Sequence, residues 1–242
     1  MAGEITTVLL HGAGTGAWVW QAVIHEMTSP VVALDVPGRA EGVTPDSCAA
    51  ELVAELDRRG IDSVILVLHS LAGVLSSGLA SRLGARLKHI VYVAAIVPPS
   101  GGSFVDAFGW VNRVIFRLLF RFNRKGLKPS AAMIQRELCN DLDATATDWV
   151  VSRYAAEFPG LYLSPTGSVL PRCGTTYIKL LKDQSVLPAQ QDAMIARLDN
   201  PQVTGIEAGH LVMLSAAARL AELLQREAAP QVAPADRPMA GH

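Results

Sequence analysis

The stretch Val64-Ile65-Leu66-Val67-Leu68-His69-Ser70-Leu71-Ala72-Gly73 decides the fold. Its unbroken apolar run, without alternation, reads as a strand covered on both faces, as in a parallel sheet sandwiched between helices. The run ends at a serine followed by small and helix-favouring residues, so a strand passes into a helix at Ser70. Ligands of open α/β sheets bind beyond the carboxyl ends of the strands, and a serine on such a turn presents its hydroxyl there, with the next amide at a helix N-terminus. The turn departs from the usual Gly-x-Ser-x-Gly spacing at both glycines, with Leu68 before the serine and Ala72 after it. Leu68 then needs a pocket of its own, because a sharp turn brings that side chain close to neighbouring backbone.

Working outward, further apolar runs predict strands at Thr6–Leu10, Val31–Leu34, Ser63–Leu68, Leu87–Val93, Thr176–Leu181 and Gln202–Ile206. Segments of helical spacing lie between them, beginning near Trp18, Ser47, Leu71, Gln190 and Ala216, with Ser47 as an N-cap and Glu51 close behind. This alternation predicts an α/β fold built on a six-stranded, mostly parallel, doubly wound sheet. The alternation stops at Pro98-Pro99-Ser100-Gly101-Gly102 and resumes near Gly174. Residues 1–97 and 174–229 are therefore read as the core, 98–173 as a helical lid inserted after the fourth strand, and the Pro- and Ala-rich 230–242 as a flexible tail.

The chain of 242 residues suits one compact domain, being half apolar and 18% charged. A formal charge of -1 offers no general attraction for nucleic acid or an anionic membrane. The N-terminus lacks a basic region followed by a long apolar one, and no run reaches the length of a bilayer span, so a cytoplasmic protein without stable membrane insertion is expected. Cys48, Cys139 and Cys173 are odd in number and lack metal-ligand spacing, which reads as buried free thiols.

A serine hydroxyl needs a base within hydrogen-bond reach, a role suited to imidazole. His210 follows the last strand in Ile206-Glu207-Ala208-Gly209-His210, on the same sheet edge as Ser70. An acid that holds the imidazole tautomer should follow a strand between them, as Asp183 does; Asp192 and Asp199 fall on or after the next helix and Asp141 and Asp143 in the lid, where they read as surface charges. The oxyanion formed during attack on an ester needs two amides, assigned to Leu71 and to Ala13 in His11-Gly12-Ala13-Gly14-Thr15-Gly16. That run lacks the full Gly-x-Gly-x-x-Gly spacing of a dinucleotide turn, and Asp35 alone adds little to it. Gly12 in that run and His69 beside the serine, with Trp110 and Val114 from the lid, are the expected substrate contacts.

These residues resemble the α/β-hydrolase fold family, in particular its small plant methyl esterases and hydroxynitrile lyases. The resemblance is carried by the run from His11 to Trp20, by Asp35-Val36-Pro37-Gly38-Arg39, by His69-Ser70-Leu71-Ala72-Gly73, by Asp183 and by Ala208-Gly209-His210-Leu211-Val212-Met213-Leu214. It implies a Ser70, Asp183 and His210 triad with the amides of Ala13 and Leu71 as oxyanion hole. The lyase branch carries a threonine where this chain has Gly12 and a lysine where it has Leu211, so the resemblance implies hydrolysis.

In the lid, Trp110, Val114, Leu118 and Phe122 form one helical stripe and Arg113, Arg117, Arg121 and Arg124 another. The expectation is that the apolar stripe packs inward and roofs the site while the arginines stay in water. A basic mouth for an acidic substrate, an acyl carrier or a membrane surface is the other reading of the same helix. An apolar roof points to a small hydrophobic ester, lactone or thioester, cleaved with no metal or organic cofactor. A lyase or cyclase on this scaffold and a ligand-binding protein with little turnover remain alternatives, and the sequence carries no mark of oligomeric state.

Overall fold

The computed structural model describes residues 4–123 and 126–228. Arg124 and the 230–242 segment lie outside these described residues. Six strands, β1 (Thr6–Leu10), β2 (Val31–Leu34), β3 (Val64–His69), β4 (Leu87–Val93), β5 (Gly174–Leu180) and β6 (Gln202–Ile206), form one sheet in the order β2-β1-β3-β4-β5-β6. Every neighbouring pair is parallel. The chain steps from β1 outward to β2, then returns to the other side of β1 for β3. The loops leaving β1 and β3 therefore diverge, which opens a crevice at their carboxyl ends.

Alternate side chains of the central strands feed two cores. Val8, Leu10, Val64, Leu66 and Leu68 enter one, while Leu9, Ile65 and Val67 enter the other. This two-sided burial is why β3 reads as an uninterrupted apolar run. The first layer is covered by α2 (Pro45–Arg58), α3 (Ser76–Leu83) and α8 (Pro188–Ile195), and the second by α1 (Gln21–Glu26), α9 (Val212–Ser215) and α10 (Ala217–Ala228). Between β4 and β5 the helical insertion contributes α4 (Trp110–Phe122), α5 (Ala131–Glu137), α6 (Ala144–Arg153) and α7 (Gly160–Leu163).

Two local expectations are corrected. The cap of α2 is Thr44, whose hydroxyl accepts the Ser47 amide while the Ser47 hydroxyl accepts the Thr44 amide; Pro45 occupies the first helical position. Ser47 is thus the third residue of the helix and the reciprocal partner in the capping box. In α4, Trp110, Val114, Leu118 and Phe122 do not pack inward, and Trp110 is 75% exposed. The inward side chains are Phe116 and Phe120, which join Phe104 and Tyr162 in an aromatic cluster with ring centroids 4.6 to 6.2 Å apart. Arg113 follows the same face to Asp106, at 3.0 Å. The helix is apolar nearly all round, so spacing alone does not choose the row that packs; the aromatic partners do.

Of the three thiols, all free, Cys48 and Cys139 are buried and Cys173 is half-buried. Burial pushes the Cys48 thiol up to about 12, consistent with an inert core residue.

Candidate active site

The Ser70 turn is strained as its position requires. Ser70 has φ +52°, a left-handed conformation costly for a residue with a Cβ, and its carbonyl is held by the Ile96 amide at 2.9 Å. Three residues on, a Cβ at Gly73 would lie 2.3 Å from the Ile96 carbonyl oxygen. The close approach thus falls at Gly73, which leaves room for a methyl at Ala72. Leu68 is fully buried in the layer that holds Leu10 and Leu66, so its bulk is accommodated by the core.

The three side chains singled out by chain order meet at this edge. Ser70 Oγ lies 3.0 Å from His210 Nε2, and His210 Nδ1 lies 2.7 Å from Asp183 Oδ2. The pattern assigns the ring proton to Nδ1, donated to the carboxylate, and leaves Nε2 to accept from the serine hydroxyl. Asp183 is completely buried, and its other oxygen accepts the amides of Ser185 and Val186 at 2.8 and 2.9 Å. A buried carboxylate with both oxygens occupied has one orientation available, and the imidazole inherits it. Asp192 instead pairs with Lys179, and Asp143 caps α6 through the Ala146 amide.

The loop after β1 lies directly against the serine. A Cβ on Gly12 would fall 2.8 Å from Ser70 Cβ and 2.9 Å from His69 Nδ1, so only glycine fits. The Gly12 carbonyl is held by His11 Nδ1 at 2.8 Å and the Thr15 hydroxyl at 3.1 Å. A planar trans peptide then fixes the Ala13 N–H in the opposite direction. Among the described residues, neither the Ala13 nor the Leu71 amide donates to a backbone carbonyl elsewhere in the chain.

His69 is enclosed rather than open to a ligand: its Nε2 donates to the His210 carbonyl at 3.0 Å, and the two rings lie 4.7 Å apart. Burial, and then the neighbouring His210, hold it well below the usual histidine range, so it is a neutral support for the His210 loop. Trp110 and Val114, expected at the substrate, are exposed on the outer face of α4.

Two further carboxylates hold the site, and both come from the insertion. Asp141 Oδ2 accepts the Gly209 amide at 2.6 Å, and a Cβ on Gly209 would meet Asp141 and Asn140. The buried Glu157 accepts the Gly14 amide at 2.7 Å and the Arg39 guanidinium at 2.8 Å. Partners 68 and 143 residues away leave no local mark in the sequence.

His11 also gives this loop a pH dependence. Its Nε2 accepts the Val36 amide at 2.9 Å, and burial lowers its pKa from 6.5 to about 4. Between pH 6.5 and pH 4 the unfolded chain binds the proton and the folded chain does not. The stability from neutral His11 is therefore complete above pH 6.5 and lost as pH falls through this window, by at most about 3 kcal/mol. Urea midpoints across the window should fall with pH, and less steeply in His11→Gln; equal slopes would reject the assignment.

The chain has relatives among known proteins. The sequence profile of the alpha/beta hydrolase family matches residues 7–223. A carbendazim hydrolyzing esterase from Nocardioides sp. is 29% identical over 173 residues, covering 65% of this chain and 71% of the relative. An extracellular α/β-hydrolase from a Paenibacillus species superposes with a TM-score of 0.83 at 17% identity, over 92% of this chain and 98% of its own. A methylesterase from Arabidopsis does so with a TM-score of 0.68 at 18% identity, over 92% and 98% of the two chains.

Proposed function

Because the chain belongs to the alpha/beta hydrolase family, we propose that it is a serine esterase whose nucleophile is Ser70, with His210 as base and Asp183 as the acid that orients it. The observation that carries this reading is the continuous path from Ser70 Oγ to His210 Nε2 at 3.0 Å and from His210 Nδ1 to Asp183 Oδ2 at 2.7 Å. The carbendazim hydrolyzing esterase among its relatives points to the same class of bond.

In the proposed cycle, Ser70 Oγ bonds to the ester carbonyl carbon as its proton passes to His210 Nε2. The Ala13 and Leu71 amides take the charge on the carbonyl oxygen, each worth about 3 to 4 kcal/mol. The intermediate collapses to an acyl-serine while His210 returns its proton to the departing alcohol. Water then attacks the acyl group as its proton passes to His210, and His210 returns that proton to Ser70 Oγ as the bond from serine to the acyl carbon breaks and the acid departs. Each of these steps uses side chains and amides of this chain. Leu211, where the resembling lyases carry a lysine, is a buried apolar residue and supplies no charge for a lyase reaction.

The substrate reading is a small hydrophobic ester. The cavity beside Gly12 and Leu71 is lined by Val36, Ala72 and Leu161 and by the Arg39–Glu157 pair. It holds about 10 Å³, room for a single water at most.

A fluorophosphonate probe tests the proposal, since it reacts only with an activated serine. It is expected to label wild-type protein at Ser70 and to leave Ser70→Ala unlabelled. Folded wild-type protein that resists labelling would turn the reading towards proton-transfer chemistry or ligand binding.

A further inference from the structure

We propose that the outer face of α4 is a docking surface for an anionic lipid bilayer, reversible and lying in the plane of the interface. This goes beyond the esterase reading and does not depend on it.

The helix has thirteen residues, about 20 Å of axis, and buries only one side. Phe116 and Phe120 face the body of the protein. At 100° per residue, Trp110, Val114, Leu118, Val111, Phe122, Ile115 and Leu119 sweep the opposite half of the cylinder. All seven are exposed, Trp110 by 75% and Phe122 by 78%. A contiguous apolar patch of this kind on a helix marks an interaction surface.

Charge identifies the partner. Arg117 and Arg121 run along one edge of the apolar arc, with Arg113 turned in to Asp106, and from Trp110 to Lys125 the sequence has four arginines, one lysine and no carboxylate. Asp106 takes Arg113 at 3.0 Å and reaches Arg117 only at 3.8 Å, which leaves the row incompletely neutralised. In a second copy, the same helix would bring no carboxylate to answer these arginines. An anionic bilayer answers all of them, accepts Trp and Phe at headgroup depth, and lets the arginine stems lie along the apolar face with their heads among phosphates. The helix is too short to cross a bilayer, and no helix among the described residues is long and apolar enough to do so.

Flotation with phosphatidylcholine vesicles, with and without phosphatidylglycerol, tests the proposal. Wild-type protein is expected to float with the phosphatidylglycerol vesicles and to be released by salt or by omission of the anionic lipid. Arg117→Gln and Arg121→Gln should each lower the partition coefficient about fivefold. Leu118→Glu should abolish flotation with its circular dichroism unchanged; should Leu118→Glu misfold, Phe122→Ser, at a more exposed position, gives the same reading. The proposal is overturned if wild-type protein stays with the unbound fraction, or if these apolar variants float as well as wild type. It is equally overturned if lipid-free gel filtration shows a dimer that Leu118→Glu dissociates, because a second copy then covers the face.

Discussion

Ser70→Ala and His210→Ala are each expected to lower kcat on a short nitrophenyl ester by about 10⁶-fold, and the double variant to be no slower than either alone. The reason is geometric. The hydroxyl and Nε2 are 3.0 Å apart and share one proton, so removing either end removes the same event. The residual rate would come from the Ala13 and Leu71 amides acting on a carbonyl attacked by water. Both replacements are compatible with the fold: alanine can hold the Ser70 backbone through the same Ile96 bond, and the His69 bond to residue 210 uses a main-chain carbonyl. Circular dichroism and single-turnover kinetics on the two variants check the expectation. A residual rate within tenfold of wild type in either variant would remove that residue from the reaction.

The sheet and the three side chains were legible because each left a local signature. β3 runs into its helix within ten residues, Asp183 directly follows β5, between the two other members in chain order, and His210 opens the turn after the last strand. The supports of these residues left none. Asp141 and Glu157 reach the Gly209 and Gly14 amides from another layer of the fold, and alone in sequence each is one carboxylate among many. Thr44 carried a usable signal, proline at the first helical position, which outranks the Ser47 hydroxyl two residues later. The orientation of α4 was illegible for a different reason. Apolar side chains occupy most of its circumference, and only Phe104 and Tyr162, six and forty or more residues from its ends in sequence, decide which of them faces in.

Asp183→Asn should lower kcat by about 10⁴-fold while leaving KM nearly unchanged. Asp183 Oδ1 already accepts two amides, from Ser185 and Val186, and those buried donors hold any oxygen placed there. Asparagine keeps that oxygen in place and so turns its NH₂ towards His210 Nδ1. The ring must then accept at Nδ1 and carry its proton on Nε2, where it faces Ser70 as a donor and has no lone pair for the hydroxyl proton. The nucleophile, base and amides all remain in position, yet the proton transfer starts from the wrong tautomer. KM is spared because Asp183 is fully buried behind the imidazole and meets no substrate. Fluorophosphonate labelling at Ser70 should slow in parallel with kcat, which separates a tautomer effect from lost binding. If both rates stay within tenfold of wild type, the 2.7 Å contact orients nothing that the reaction uses, and the base draws its support from elsewhere.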